Sequence, residues 1–251
     1  MQLKRMIDAL NGPRSYFFVH VDANTSIKEF RHVLKNDMNH KVFFTKRVKT
    51  SWGSFGLVEA TLLGIRQILK SGLGDYIILL SGQDYPIKPR SYIEKFFEKN
   101  RDRIFIGINP IPKKEWLAGG ITRFPDFEEI SKHIQFYGGS QWWAMPVECC
   151  REIMIFIRKS KLLVSYFKTV FIPDESFFHT CLKMICKSDS NQLFFKKPIH
   201  YIDWVDDRPR TLTITDFAKI ATSNKLFARK FDMNVDSQIL KRLDEHRLPG
   251  L

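Results

Sequence analysis

The chain has 251 residues, 44% of them hydrophobic and 14% aromatic, which supplies a substantial buried core for one large domain and excludes a disordered tail or linker. Lys plus Arg number 40 against 27 Asp plus Glu, giving a net charge of +13 that favours anionic partners: phosphates, nucleotides, acidic lipid or nucleic acid. No apolar run approaches the roughly 18 residues of a membrane-spanning helix, and Met1 to Met6 lead into no apolar signal region, so a cytoplasmic location is the expectation.

Leu3, Met6, Ile7 and Leu10 recur at helical spacing and stop at the turn Asn11-Gly12-Pro13. Tyr16 to Val21 is a short run of β-forming residues, expected as a strand buried on both faces, and it ends in the polar loop Asp22 to Ser26. A helix follows over Ile27 to Leu34, then a strand over Val42 to Thr45, and a helix over Leu57 to Leu69 that Gly72 caps. Asp75 to Leu80 reads as the clearest central strand and runs directly into Ser81-Gly82-Gln83-Asp84-Tyr85-Pro86-Ile87. Further strands are expected over Ile104 to Ile108 and after the turn at Gly138-Gly139, with helices over Val147 to Ile157, from near Asp174, and over Val235 to His246.

Helix-like and strand-like segments in alternation point to an α/β domain with a mostly parallel sheet between helices. Open sheets of that kind place ligands at strand carboxyl ends, which is where the polar loops at Asp22 and Ser81 fall. Repeats, low-complexity tracts and Ser/Gly linkers are absent, so residues 1–251 read as a single domain.

Neither G-x-G-x-x-G nor G-x-x-x-x-G-K-[ST] occurs, nor H-E-x-x-H nor G-x-S-x-G, which leaves dehydrogenase, P-loop, zinc-protease and lipase readings without support. Cys149, Cys150, Cys181 and Cys186 fit no zinc-ligand spacing and read as reduced, mostly buried thiols. Asp206-Asp207 is an adjacent acid pair that is more simply solvated than metal-bound.

Four segments combine turn residues with polar groups: His20-Val21-Asp22, Ser81 to Lys88, Pro173-Asp174-Glu175-Ser176-Phe177-Phe178, and Leu226-Phe227-Ala228-Arg229-Lys230-Phe231-Asp232. With matching stretches from about residue 3 to residue 236, they resemble the core-2/I-branching β-1,6-N-acetylglucosaminyltransferases and their peptide O-xylosyltransferase relatives (glycosyltransferase family 14), specifically its bacterial members. The resemblance implies a GT-A-type nucleotide-sugar transferase fold, with a nucleotide-binding part over about 1–110 and an acceptor and catalytic part over about 111–251. Relatives open with a further strand ahead of the helix at Leu3; the sequence supplies none, so either the sheet lacks its first strand or the start is truncated.

Asp174 and Glu175 follow Pro173 and read either as an acidic helix N-terminus or as a site for a general base that deprotonates an acceptor hydroxyl. The resemblance places the base at Glu175. It also implies that a basic pair, with no metal or other cofactor, holds the departing diphosphate, with the lysine at Lys230 and the arginine at Arg210 or Arg208. Val19, His20 and Asp22 match the segment that receives uridine and ribose, although His20 also reads as a buried, satisfied histidine. Asp84 either orients its loop, contacts the donor or does both, and Trp52 matches a position near the donor. Ser140, Trp142 and Trp143 match the acceptor-side strand, Trp being a platform for a sugar ring, with at least one of the two expected in the core.

The expected activity is inverting, metal-independent transfer from UDP-N-acetylglucosamine, with UDP-xylose the alternative, to a saccharide or glycolipid of an envelope polysaccharide pathway, at an anionic inner-membrane face. Two other classes stay open: a basic nucleic-acid-binding module, which the lack of a dense basic run disfavours, and an inactive sugar-binding relative.

Overall fold

The computed structural model describes residues 1–35, 41–186, 194–195, 197–206 and 208–247. In chain order, α1 (Gln2–Leu10) leads to β1 (Phe17–Val19), α2 (Lys28–Lys35), β2 (Val42–Phe44), α3 (Gly56–Ser71), β3 (Tyr76–Ile78) and β4 (Tyr85–Pro86). Then come α4 (Arg90–Lys99), β5 (Ile104–Phe105), β6 (Asn109–Pro110), α5 (Phe127–Ile130), β7 (Tyr137–Gly138), β8 (Ala144–Pro146), α6 (Val147–Lys159) and α7 (Lys161–Phe167). The last third holds α8 (Phe177–Ile185), β9 (Phe194–Phe195), β10 (His200–Ile202), β11 (Trp204–Val205), β12 (Arg208–Pro209), α9 (Phe217–Ala221), β13 (Phe227–Arg229) and α10 (Gln238–Arg247).

This is a mixed α/β fold, but the mostly parallel central sheet expected from the alternation is not what forms. In the four-stranded sheet β3-β8-β5-β9, β8 runs antiparallel to both β3 and β5, and β5 runs parallel to β9. In β10-β13-β4, β13 is parallel to β10 and antiparallel to β4. β1 and β2 form a separate parallel pair, and β6–β7 and β11–β12 are antiparallel ribbons. An apolar run signals a buried strand but carries nothing about its neighbour's direction. β8 arrives after a connection whose one α-helix, α5, has four residues, and after β7, not through a long helical crossover, so antiparallel pairing is open to it.

β1 and β3 do not pair with each other; a cavity of about 580 Å³ lies between them, lined by Phe17, Phe18, Ile77, Ile78, Leu80 and Phe227 among others. That opening is why β1 is half-buried on all three residues and not enclosed on both faces. Helix α3 ends as expected, at Gly72 with φ of 66°, a left-handed cap that glycine adopts without steric cost. The last helix starts at Gln238 and not at Val235, because the Asp236 carboxylate accepts the amides of Gln238 and Ile239 and fixes the N-terminus there. Helix α4, which the sequence reading does not single out, buries Ile93 and Phe97 one turn apart.

Three apolar clusters hold these pieces together. The largest joins Val58 and Ile65 of α3 to Trp143 and Met145, to Cys150 and Ile153 of α6, and to Phe177, Phe178 and Cys181 of α8. A second ties the two ends of the chain, Met6 of α1 with Tyr85, Leu212, Phe231, Leu240 and Leu243. A third, with Phe97, Phe105, Ala144 and Phe227, lies between them in the sheets. Cys149, Cys150 and Cys181 are free thiols; Cys150 and Cys181 are buried, and Cys149 and Cys186 partly so. Among the described residues no helix is long and apolar enough to cross a membrane.

Candidate active site

The loop after β1 is a tightly hydrogen-bonded cradle. His20 Nε2 accepts the Val48 amide at 3.1 Å, and burial lowers the histidine's pKa. Asp22 Oδ2 accepts both the Thr50 amide (2.6 Å) and the Thr50 hydroxyl, and Oδ1 accepts the Asn24 amide (2.6 Å). These bonds, the Thr50 hydroxyl foremost, lower the Asp22 pKa to about 2. Arg47 binds the backbone of the same loop, donating to the carbonyls of Val21 (3.0 Å), Asp22 (2.6 Å) and Thr25. Neither Arg47 nor Thr50 stands out in sequence, since each acts through contacts about 25 residues away. Val19 belongs to the same strand end, its carbonyl bonded to Thr45.

The segment that satisfies His20 and Asp22 continues to the second part of the site. Trp52 is 75% exposed and meets the Phe171 ring edge-on at 5.1 Å, and the Gly53 carbonyl accepts the Ile172 amide at 3.0 Å. Gly53 has φ of 77°, and a Cβ there would lie 2.4 Å from the Phe171 ring, so only glycine fits. Ile172 leads into the 3₁₀ turn Pro173–Glu175 ahead of α8.

In that turn the two acids separate. Asp174 is buried, with Oδ1 lacking a hydrogen-bond partner, and burial followed by the neighbouring Glu175 charge raises its pKa to about 6. It does not cap the helix, whose N-cap is Ser176, with no side-chain bond at that position. Glu175 is partly exposed; its Oε2 accepts Arg123 Nη1 at 2.7 Å, and its backbone carbonyl accepts the Gly139 amide at 2.9 Å.

From Gly139 the chain runs to the basic side of the site. The Ser140 carbonyl bonds His179 Nε2 at 3.2 Å, and the Ser140 hydroxyl accepts the Trp142 amide at 3.4 Å. Trp143 is fully buried against Phe178, so it is a core residue and has no face to offer an acceptor. Trp142 is also nearly enclosed, with the Arg229 guanidinium 4.0 Å above its ring and His200 beside it. An acceptor platform on Trp142 is therefore already occupied by a cation.

Asp84 is completely buried and anchors this region. It accepts the Ser81 amide at 2.6 Å and lies 3.4 Å from Arg229 Nε and 3.8 Å from His200 Nε2. Burial raises its pKa to about 6, with Arg229 pulling the other way. Asp84 thus orients its own loop and the end of β13. Lys230 follows directly; its carbonyl accepts the Leu212 amide at 2.8 Å, and its ammonium has no ion pair among the described residues.

The two arginines left open in sequence differ sharply. Arg210 is committed to two carboxylates, Asp203 (2.5 Å) and Asp216 (2.6 Å), and those bonds raise its pKa, Asp216 being the larger influence. Arg208, on β12, is exposed and has no ion pair among the described residues. Arg229, which precedes Lys230 in the chain and is by residue type another cation able to hold phosphate oxygens, is nearly buried, stacked on Trp142 and paired with Asp84. Asp207 lies outside the described residues; Asp206 is exposed at the turn between β11 and β12. No group of three or more His, Cys, Asp or Glu able to hold a metal ion occurs among the described residues.

A family model for Core-2/I-Branching enzymes matches residues 1–226, most of the chain. The chain belongs to the Core-2/I-branching enzyme family. Its similar proteins include xylosyltransferase 2 of Rattus norvegicus, 27% identical over 279 residues, and of Homo sapiens, 26% identical over 279 residues, each alignment covering 98% of this chain and 32% of the relative. A xylosyltransferase of Ciona intestinalis is 25% identical over 278 residues. The chain spans about a third of the length of these curated relatives. The Core-2/I-branching family is one of glycosyltransferases, and the relatives' names agree with that class.

Proposed function

We propose that this chain is a single inverting glycosyltransferase domain of GT-A type, with its nucleotide-binding part within about residues 1–110. The observation that carries the reading is that two short segments tie three groups into one locus. Residues 48–53 bond to His20 and Asp22 at one end and to Ile172 at the other, and residues 139–142 bond to Glu175 at one end and stack under Arg229 at the other. Three residue steps span at most about 11 Å, which supports one region for the carboxylate turn and the Arg229 end of β13.

In this reading Asp22 and the exposed Trp52 border the UDP-sugar donor, and Glu175 Oε1, which has no partner among the described residues, accepts the proton of an acceptor hydroxyl. The hydroxyl oxygen bonds to the anomeric carbon as the bond from that carbon to the diphosphate breaks. The electron pair leaves with UDP, whose charge Lys230, with the exposed Arg208, neutralises without a metal. The acceptor is a saccharide or glycolipid hydroxyl. The xylosyltransferase relatives favour UDP-xylose, and the motif resemblance favours UDP-N-acetylglucosamine. Net charge of +13 supports peripheral contact with an anionic membrane, which salt-sensitive cosedimentation with phosphatidylserine vesicles checks.

The test is turnover of a UDP-sugar panel by the chain and by Glu175→Gln. The variant is expected to lose about 10²- to 10⁴-fold in kcat while UDP affinity stays unchanged. Unaltered turnover in Glu175→Gln removes Glu175 as the base.

A further inference from the structure

The reach of Glu175 for an acceptor depends on what holds its carboxylate, and the turn itself supplies no side-chain anchor. Among the described residues one side chain bonds it: Arg123, through an Nη1 to Oε2 contact of 2.7 Å. Arg123 is fixed by two further contacts. Its guanidinium lies 4.6 Å over the Trp116 ring, its carbonyl accepts the Phe171 amide at 2.8 Å, and Phe171 is two residues before the turn that carries Glu175.

Trp116 is itself seated where two glycines leave room. A Cβ at Gly120, whose φ is 82°, would lie 2.7 Å from the Trp116 ring, and one at Gly138 would lie 2.9 Å from the ring and 3.1 Å from the Glu175 carbonyl. The indole, the guanidinium and the carboxylate are thus stacked in order on a backbone too close for any side chain.

We propose that Arg123, seated on Trp116, is the positioning residue for Glu175, an inference that rests on Glu175 being the base. Arg123 takes one carboxylate oxygen and leaves Oε1 directed to the acceptor, so it sets the orientation of proton transfer without touching donor or nucleotide. Misplacing a reacting group by about 1 Å costs on the order of 100-fold in rate, and a carboxylate released from Arg123 turns about its own side-chain torsions. Because the contact uses one nitrogen and one oxygen, a lysine can reproduce it, unlike a bidentate arginine site.

The experiment measures kcat, donor KM and UDP affinity for Arg123→Gln, Arg123→Lys, Glu175→Gln and the double variant Glu175→Gln/Arg123→Gln, with Tm recorded for each. Arg123→Gln is expected to lose about 100-fold in kcat with donor KM and UDP affinity unchanged. Arg123→Lys should recover much of that loss, and Arg123→Gln should cost nothing further in the Glu175→Gln background, because it acts only through the carboxylate. Full activity in Arg123→Gln beside an impaired Glu175→Gln overturns the positioning role and leaves the base intact. Additive losses in the double variant, loss of UDP affinity, or no recovery with lysine also overturn it. If Glu175→Gln turns over normally, the base assignment fails and this proposal fails with it.

Discussion

At the scale of single residues, the chemistry is decided by what each charge already holds. Lys230 is a cation without an ion pair among the described residues, whereas Arg210 is bound to Asp203 and Asp216. A diphosphate would have to displace two carboxylates to recruit Arg210. Lys230→Ala is therefore expected to weaken UDP binding by about 10- to 100-fold, the value of a charge-assisted hydrogen bond, read by calorimetric titration. Arg210→Ala should instead lower unfolding free energy by about 1 kcal/mol, the discounted worth of a part-exposed ion-pair group, with the UDP dissociation constant unmoved. A large loss of UDP affinity in Arg210→Ala would restore the assignment implied by the motif resemblance. Glu175, Lys230 and Asp22 stand out in sequence because the short strings that hold them resemble family motifs. Arg123, Arg47 and Thr50 do not, since their partners lie 22 to 52 positions away and no local pattern marks them.

Among the elements, the polar loops fell where apolar strand runs end, and the helices fell where apolar residues recur at helical spacing. Strand direction did not follow, because pairing is set by distant stretches and a short strand reads the same either way. Gly139 shows how closely those stretches approach: a Cβ there would lie 1.8 Å from the Gly107 carbonyl, backbone against backbone. Gly139→Ala should destabilise the fold by about 1–3 kcal/mol, the cost of overpacking, and disturb the amide that holds the Glu175 carbonyl. Urea unfolding together with kcat measures both effects; a stability equal to that of the parent chain would mean that the sheet yields at no cost.

For the whole molecule, buried ionisable groups set how stability follows pH. Burial lowers His179 and His200 to about 3, so the unfolded chain takes up their protons first as pH falls through 6.5. Each costs up to about 1.4 kcal/mol per pH unit below that value. Asp84 and Asp174, raised to about 6 by burial, act in the opposite sense and gain stability as pH falls through 6. The histidine window opens higher, so stability should fall between about pH 7.5 and about pH 5.5. His179→Asn should shrink that fall, measured as the difference in urea unfolding free energy at the two pH values; an unchanged difference would place the titration elsewhere. Diphosphate neutralisation by Lys230 without a metal also predicts that UDP-sugar turnover persists in EDTA. Activity lost in EDTA and restored by manganese would reject it.

The sequence alone determined the α/β class, the positions of the polar loops at strand ends and the family, because strand ends, turns and short motifs are local and survive in a linear reading. Tertiary structure alone decided that Arg210 is bound to Asp203 and Asp216, that Trp143 is core, that Arg123 holds Glu175, and that the sheets are mixed. Those outcomes depend on which distant segments come within a few ångströms of each other, and packing, not local propensity, fixes that.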